Sequence, residues 1–247
     1  AAGDYIPWNT VNCATPWLEI ENIVDLGTAQ PWDPYFDTSR YQEQKNRLLG
    51  PDMIESVRLD SSYQGKLWMF PLQIDMISLS YRSDWFAEVG MDGQPQTMDE
   101  LYDVCKAVHD KHAAEGVYGF YPNVHSTYGY MSALHQAYSP GDLAYDSDGL
   151  INVLHEGWLE AMAWTKRVVD AGMVPPGWET TGAYVMADAG LLGAALLGTG
   201  AAARAGRLVG FQRQKMGTIP VGNSSRVKES GTMFWATGVP LFKAGPH

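Results

Sequence analysis

An isolated carboxylate and a glycine-rich turn are the features of this chain that most invite a chemical role. Asp75 is the sole charge inside the apolar run Leu67 to Tyr81, and a carboxylate in such a run has to be paired or hydrogen-bonded. It serves either a structural pair or a ligand hydroxyl at a strand junction. Gly198-Thr199-Gly200-Ala201-Ala202-Ala203 matches G-x-G-x-x-A and follows the strand-like Ala195-Leu196-Leu197. Such a turn lets backbone amides and a helix start hold a pyrophosphate. The rest of a dinucleotide unit is missing, because a ribose-binding acid belongs about twenty residues on and the first acid after the turn is Glu229. A small-residue packing turn fits these residues better.

Other reaction chemistry finds little support. There is no G-x-S-x-G elbow, H-E-x-x-H or phosphate-binding P-loop. His109 and His112 are three apart on one expected helix and read as surface or interface histidines rather than a metal pair. Cys13 and Cys105 lack ligand spacing and read as buried thiols. The acids of Asp146 to Gly149 fail as a calcium loop, since His155 stands where the bidentate Glu belongs. A carboxylate pair for glycoside hydrolysis needs only proximity in space, but the sequence identifies no partner for Asp75. No metal and no cofactor is expected.

The elements that must position these residues follow from local pattern. Asp4 to Ile6 reads as a short strand stopped by Pro7, with Trp8 at its end. Pro16 and Trp17 open a short helix, and Thr38 to Leu49 is helical up to Gly50-Pro51. Gln64-Gly65-Lys66 is a turn, followed by two strand runs with apolar residues on both faces, Leu67 to Leu72 and Ile74 to Tyr81. Ser83 caps a short helix ended by Gly90, and Thr97 with Glu100 forms a capping box for a helix reaching about His112. Tyr118 to Tyr121 is a strand and Tyr128 to Tyr138 a helix. Ala144 to Val153 suggests a hairpin around Asp148-Gly149. Glu156 to Ala171 is an amphipathic helix whose expected inner side holds Leu159, Met162, Ala163, the Lys166 stem and Val169. A strand ending at Pro220, a polar loop and the segment Thr232 to Phe242 complete the chain.

Composition bounds the partners. Hydrophobic residues make 45% and charged residues 18% of 247 positions, which excludes disorder and fits one large or two small domains. The net charge of −11 repels phosphate backbones and anionic lipid, so nucleic acid is excluded as the expected partner. The uncharged stretch Ala189 to Ala203 is mostly Ala and Gly and stops short of the ~20 strongly apolar residues of a membrane span. The first residues show neither the positive n-region nor the apolar h-region of a signal peptide. Aromatic residues make 12%, many in polar or Gly/Pro-containing stretches, which suits an ordinary core or a sugar-stacking cleft.

One ordered set of motifs goes further: Gly65-Lys66-Leu67-Trp68-Met69-Phe70-Pro71, then Ile77 to Phe86, Gly90, Pro95 and Thr97-Met98-Asp99-Glu100-Leu101. Tyr118-Gly119-Phe120, the run Val168 to Pro176 and the glycine-rich stretch Gly190 to Gly200 continue it. In order and spacing these residues resemble the extracellular solute-binding proteins of carbohydrate ABC importers, the family of maltose-binding type. Arg82-Ser83 replaces the family's usual Asn-Lys, Met98 its Trp, and Ala201-Ala202-Ala203-Arg204 stands where many members place an aromatic.

The resemblance implies a type II periplasmic-binding-protein fold, two α/β lobes hinged over a ligand: residues 1–72 in lobe one, 73–230 in lobe two and 231–247 returning to lobe one. It implies a βα unit before Asp4 and helices after His247, so the chain is expected to be incomplete at both ends. It implies a monomer that performs no chemistry, works outside the cytoplasm, periplasmic or lipid-anchored, and hands a sugar or oligosaccharide to a membrane permease. By the likeness Trp8 supplies an aromatic platform, Asp75 accepts sugar hydroxyl protons, and Tyr128 lies in the cleft-lining loop Tyr121 to Tyr130, with Asn123, His125, Tyr130 and Trp178 behind these three. An ionised carboxylate binds hydroxyls strongly and an aromatic face covers the C–H face of a pyranose. The alternatives left open are a dinucleotide-dependent oxidoreductase on Gly198 to Ala203, a carboxylate-pair glycosidase, and the same scaffold holding a peptide, polyamine or metal complex.

Overall fold

The computed structural model describes residues 20–36, 42–50, 53–123, 127–142, 146, 148, 150, 152–180, 183–222, 225–232 and 234–243. The expected strand at Asp4, with Trp8, the helix at Pro16 and Cys13 lie outside these residues. The chain divides into two compact units, 1–75 with 234–247, and 76–233.

In the first unit the described elements are helices α1 (Ile20–Asp25), α2 (Asp33–Phe36), α3 (Gln42–Leu49) and α4 (Glu55–Asp60), and strands β1 (Ala29–Gln30), β2 (Ser62–Tyr63), β3 (Lys66–Leu67), the start of β4 (Met69–Arg82) and β8 (Phe234–Phe242). β8 lies between β1 and β4, and a Cβ on Gly238 would come within 2.2 Å of the Phe70 carbonyl oxygen. Trp32 gathers this unit. Its ring packs 5.5 Å from that of Phe70 and 6.0 Å from that of Phe36, and its indole N–H donates to the Val239 carbonyl at 2.8 Å. Gln64 and Gly65 both have positive φ, 49° and 74°, the conformation that lets a two-residue loop join β2 to β3 with the right twist.

The two expected strand runs after that turn join into one. Trp68 breaks away to donate its indole N–H to Tyr63 O, and β4 then runs without interruption from Met69 to Arg82. Pro71 is accommodated within it. Leu72, Ile74 and Met76 are exposed on one face, whereas every residue from Ile77 to Arg82 is buried.

The second unit is built on the later part of β4, which lies between β6 (Leu192–Gly198) and β7 (Gln214–Gly217), antiparallel to both. β5 (Tyr118–Tyr121) lies parallel along the outside of β6. All seven residues of β6 are buried, as expected of a central strand covered on both faces. Its small residues set the spacing: a Cβ on Gly193 would come within 2.6 Å of Gly119 O. The helices are α5 (Ser83–Glu88), α6 (Met98–His112), α7 (Thr127–Tyr138), α8 (Glu156–Asp170), α9 (Ala183–Asp188) and α10 (Thr199–Val209).

The capping box forms as read. The Thr97 hydroxyl accepts from Glu100 N at 3.1 Å and the Glu100 carboxylate accepts from Thr97 N at 3.3 Å, and α6 buries Met98, Leu101, Val104, Cys105, Val108 and His112. Burial pushes the Cys105 thiol up, out of reach of thiolate chemistry. His109 and His112 face different partners, the carbonyl of Val117 and the carboxylate of Glu115, and His112 is buried rather than at the surface.

Two local expectations are corrected. Ser83 does not cap α5; its hydroxyl donates to the Arg213 carbonyl at 2.9 Å. The hairpin expected over Ala144 to Val153 lies largely outside the described residues; within them Asp146 N donates to Leu150 O at 2.8 Å and the Asp146 carboxylate accepts from the amides of Asp148 and Leu150. In α8 the buried face is Gly157, Ala161, Trp164 and Val168, while Leu159 and Met162 are each 46% exposed. Both stripes are apolar enough to face inward. Gly157 decides, because a Cβ there would come within 2.8 Å of the His135 ring, so that only this stripe lets α8 approach α7 closely.

That approach encloses an imidazole. His135 is 2% exposed, stacks on Trp158 at 4.6 Å, and lies 3.2 Å through Nε2 from His155 Nδ1. His155 caps α8 through Nδ1 and pairs with Asp142 through Nε2. Burial, then the neighbouring His155, hold His135 below the ordinary imidazole range, with Asp142 opposing them. The unfolded chain therefore binds more protons than the folded one once the pH falls below the ordinary value near 6.5. The stability is complete above that value and falls with pH below it. The midpoint of thermal unfolding is expected to decline between about pH 6.5 and 5, and His135→Gln to flatten that slope.

Candidate functional site

Sheet register brings the parts of the site to one edge. β5 and β6 run parallel, with Tyr121 beside Ala195, so Tyr121 and Gly198 mark their carboxyl ends. β4 runs the other way, and Ile77 pairs with Gly198. β7 is antiparallel to β4, with Gly217 opposite Leu79. Consequently Met76-Ile77, the Pro122-Asn123 segment, Thr199 and Thr218 all emerge at the same edge. Ligands of open α/β sheets bind outside the carboxyl ends of the strands.

A cavity of about 480 Å³ lies at this edge, lined by Met76, Ile77, Ser78, Gln94, Thr199, Met216 to Ile219 and Ser230 to Thr232. None of these lining residues is charged. Its hydroxyls are oriented by the backbone: Thr232 donates to Ile77 O at 2.6 Å, Ser78 to Leu197 O at 3.3 Å, and Ser230 to Ile219 O. Gln94 donates from its amide to the Thr218 hydroxyl at 2.8 Å. A hydroxyl that has donated its proton keeps lone pairs for an incoming donor. The wall thus offers neutral acceptors between the apolar faces of Met76, Ile77 and Met216. Thr199 opens α10, whose N-cap Gly198 makes no side-chain bond to the first turn.

Asn123 sits at the end of β5, 1% exposed, and its Oδ1 has no hydrogen-bond partner among the described residues. Such an acceptor costs free energy until a donor reaches it. Tyr121 donates its hydroxyl to Trp178 O at 3.2 Å, and Trp178 packs half-buried against the cluster of Tyr121, Leu192 and Leu197. Burial, then Glu179, push the Tyr121 hydroxyl up, so it stays protonated as a donor.

None of the ligand-binding residues singled out in the sequence is among the described residues lining the cavity; Asn123 follows β5, and Trp178 accepts from Tyr121 at the carboxyl end of that strand. Asp75 is half-buried on β4 immediately before Met76. Tyr130 lies in the core, 0% exposed, its ring 6.5 Å from Phe120 and its hydroxyl 3.0 Å from that of Thr165. Tyr128 is a residue of α7 whose side chain is outside the described residues, and Trp8 and His125 are outside them altogether. The hydroxyl-lined wall went unread because Ser78, Thr199, Thr218 and Thr232 carry no shared motif. Alternation along β4 alone places Ser78 next to a strand end.

The turn Gly198 to Ala203 does join a strand to a helix, β6 to α10. Its alanines are packing residues: Ala202 is buried against Tyr121, Ala183 and Leu197, and Ala201 packs half-buried against the same cluster. β6 has antiparallel β4 on one side rather than a second parallel crossover. Among the described residues no group of three His, Cys, Asp or Glu is placed to hold a metal ion, and no helix is long and apolar enough to cross a membrane.

Comparison with known proteins agrees with this architecture. The chain is similar in structure to the GacH receptor of Streptomyces glaucescens, solved unliganded and with acarbose (TM-score 0.69, 19% identity, 92% of this chain and 55% of that one). It is similar to a sugar transporter protein of Arthrobacter chlorophenolicus with bound laminaribiose (TM-score 0.69, 17% identity, 92% and 55%). It is also similar to UgpB of Mycobacterium tuberculosis in complex with glycerophosphocholine (TM-score 0.72, 14% identity, 92% and 56%). The chain therefore spans a little over half the length of these structures, and the likeness shows an α/β fold of the two-lobe binding-protein kind. No curated protein matches it in sequence. The profile of one family matches residues 13–241, nearly the whole chain, and by that match the chain belongs to the bacterial extracellular solute-binding proteins.

Proposed function

We propose that this chain captures a neutral sugar or oligosaccharide outside the cytoplasm and delivers it to the membrane permease of an ABC importer, performing no chemistry on it. Whether tethered by lipid or free in a periplasm, it works as a monomer. The observation that carries this reading is the uncharged cavity at the carboxyl edge of the second unit's sheet, with its oriented hydroxyl acceptors. Hydroxyl-rich ligands donate to such a wall, and their C–H faces pack on Met76, Ile77 and Met216. Structural relatives bind acarbose and laminaribiose in one case each and glycerophosphocholine in another. A phosphodiester would meet no cation among the lining residues described, which favours the neutral class.

A thermal-shift screen against mono- and oligosaccharides, with NAD and NADP on the same plate, tests the reading. A ligand bound only by the folded state stabilises it by about 2.7 kcal/mol at a hundredfold excess over Kd. One sugar family is expected to raise the midpoint and the dinucleotides to leave it unchanged; the reverse pattern overturns the proposal. For the sugar found, Asp75→Asn is expected to weaken binding by about 1–3 kcal/mol, the loss of a charged acceptor for a hydroxyl. Calorimetric titration reads this directly.

A further inference from the structure

The hydroxyls of the uncharged cavity are of two kinds. Ser78, Ser230 and Thr232 each give their proton to a backbone carbonyl, so towards a ligand they act as acceptors. Thr218 differs. Its hydroxyl accepts from the side-chain amide of Gln94 at 2.8 Å, and its backbone N–H donates to Oε1 of the same Gln94 at 3.1 Å. A backbone N–H can only donate, so the atom of Gln94 that faces it is the oxygen and the one that faces the hydroxyl is the nitrogen. An amide nitrogen accepts nothing. The Thr218 hydroxyl therefore cannot pass its proton to Gln94, and among the described residues it gives it to no other.

The backbone fixes Gln94 in this position. The segment that carries it runs beside the one that carries Thr218: Val221 N donates to Gln96 O at 2.9 Å, and Met98 N donates to Val221 O at 2.9 Å. Gly217 leaves the space that the amide fills, since a Cβ there would come within 2.1 Å of Gln94 Oε1. A hydroxyl that accepts from an amide is also polarised into a better donor.

We infer that Thr218 is the hydrogen-bond donor of the sugar site and that Gln94 is the positioning residue that keeps its proton available, so that the site takes ligands offering oxygen lone pairs as well as protons. The inference rests on the sugar reading above and divides the labour within that wall. Sugar hydroxyls donate to Ser78, Ser230 and Thr232, while a ring oxygen, a glycosidic oxygen or a further hydroxyl accepts from Thr218. An alkyl ammonium only donates, so a polyamine would leave the Thr218 proton unmatched.

The test is calorimetric titration with the mono- and oligosaccharides of the thermal-shift screen, maltose and laminaribiose among them, and with butane-1,4-diamine as a probe that only donates. For a sugar bound by the parent chain, Thr218→Val is expected to weaken binding about fivefold, the loss of one neutral hydrogen bond. Gln94→Glu is expected to do the same, because a carboxylate accepts from both the Thr218 amide and its hydroxyl and so takes the proton away. Both changes remove one proton, so the double variant should bind no more weakly than the weaker single variant. Thr218→Ser, which restores a hydroxyl, should recover most of the affinity lost in Thr218→Val, and the diamine should give no saturable heat. A purely structural clamp would survive Gln94→Glu, whose carboxylate still holds the Thr218 amide, so undiminished sugar affinity in that variant would overturn the role of Gln94. Undiminished affinity in Thr218→Val, additive losses in the double variant, or diamine binding that sugar displaces would overturn the inference while leaving the sugar reading in place. Absence of saturable heat with every sugar would overturn that reading, and this inference with it.

Discussion

Asn123→Leu is expected to remove most ligand affinity while leaving the ligand-free protein as stable as before or more so. The side chain is 1% exposed and its Oδ1 has no partner among the described residues. Burying an unsatisfied acceptor costs about 1–3 kcal/mol, and an apolar side chain of similar volume removes that cost. A ligand hydroxyl reaching Oδ1 would supply the donor that this acceptor lacks. Calorimetric affinity for the sugar should fall by about 1–3 kcal/mol, with the unliganded midpoint unchanged or raised. A variant that binds sugar as well as the parent and unfolds at a lower temperature would show Asn123 to be a structural residue.

Gly119→Ala is expected to cost more in stability than any surface change, about 3 kcal/mol, the upper end for overpacking a tight core. The added methyl would stand 2.2 Å from the carbonyl oxygen of Cys105 and 2.9 Å from its carbon. Both are backbone atoms in the middle of α6, so no rotamer change relieves the contact. β5 would have to move off α6, and it carries Tyr121 and Asn123 on its far end. Denaturant unfolding should therefore show a lowered midpoint together with weakened sugar binding. Normal stability in this variant would mean that α6 and β5 pack less closely than 2.2 Å implies.

Much of the second unit was legible from local chemistry. Thr97 and Glu100 define the start of α6 because two backbone amides there find partners three residues apart, and the buried stripe Leu101, Val104, Cys105, Val108 follows the helical period. The apolar character of Ile77 to Tyr81 reports a strand covered on both faces. α8 was harder. Two apolar stripes share that helix, and only the packing of Gly157 on His135 says which turns inward.

A lone acid in an apolar run drew attention to Asp75, and the loop after β5 drew it to Asn123, but neither of them lines the cavity. Tyr130 lies in the same loop-and-helix segment but points into the core, where Thr165 holds its hydroxyl. Aromatic content alone does not separate a ring that faces ligand from one that faces Phe120. The cavity's hydroxyls come from four separate stretches of sequence, and pairing between β4, β6 and β7 is what assembles them.

The central claim is that this chain holds a neutral sugar and releases it unaltered. Its most direct test is calorimetric titration with the sugar found by thermal shift, followed by mass analysis of the recovered ligand. The account predicts saturable binding at one site per chain and a ligand recovered chemically unchanged. Absence of saturable heat with every mono- and oligosaccharide, or recovery of a cleaved or oxidised product, would contradict it.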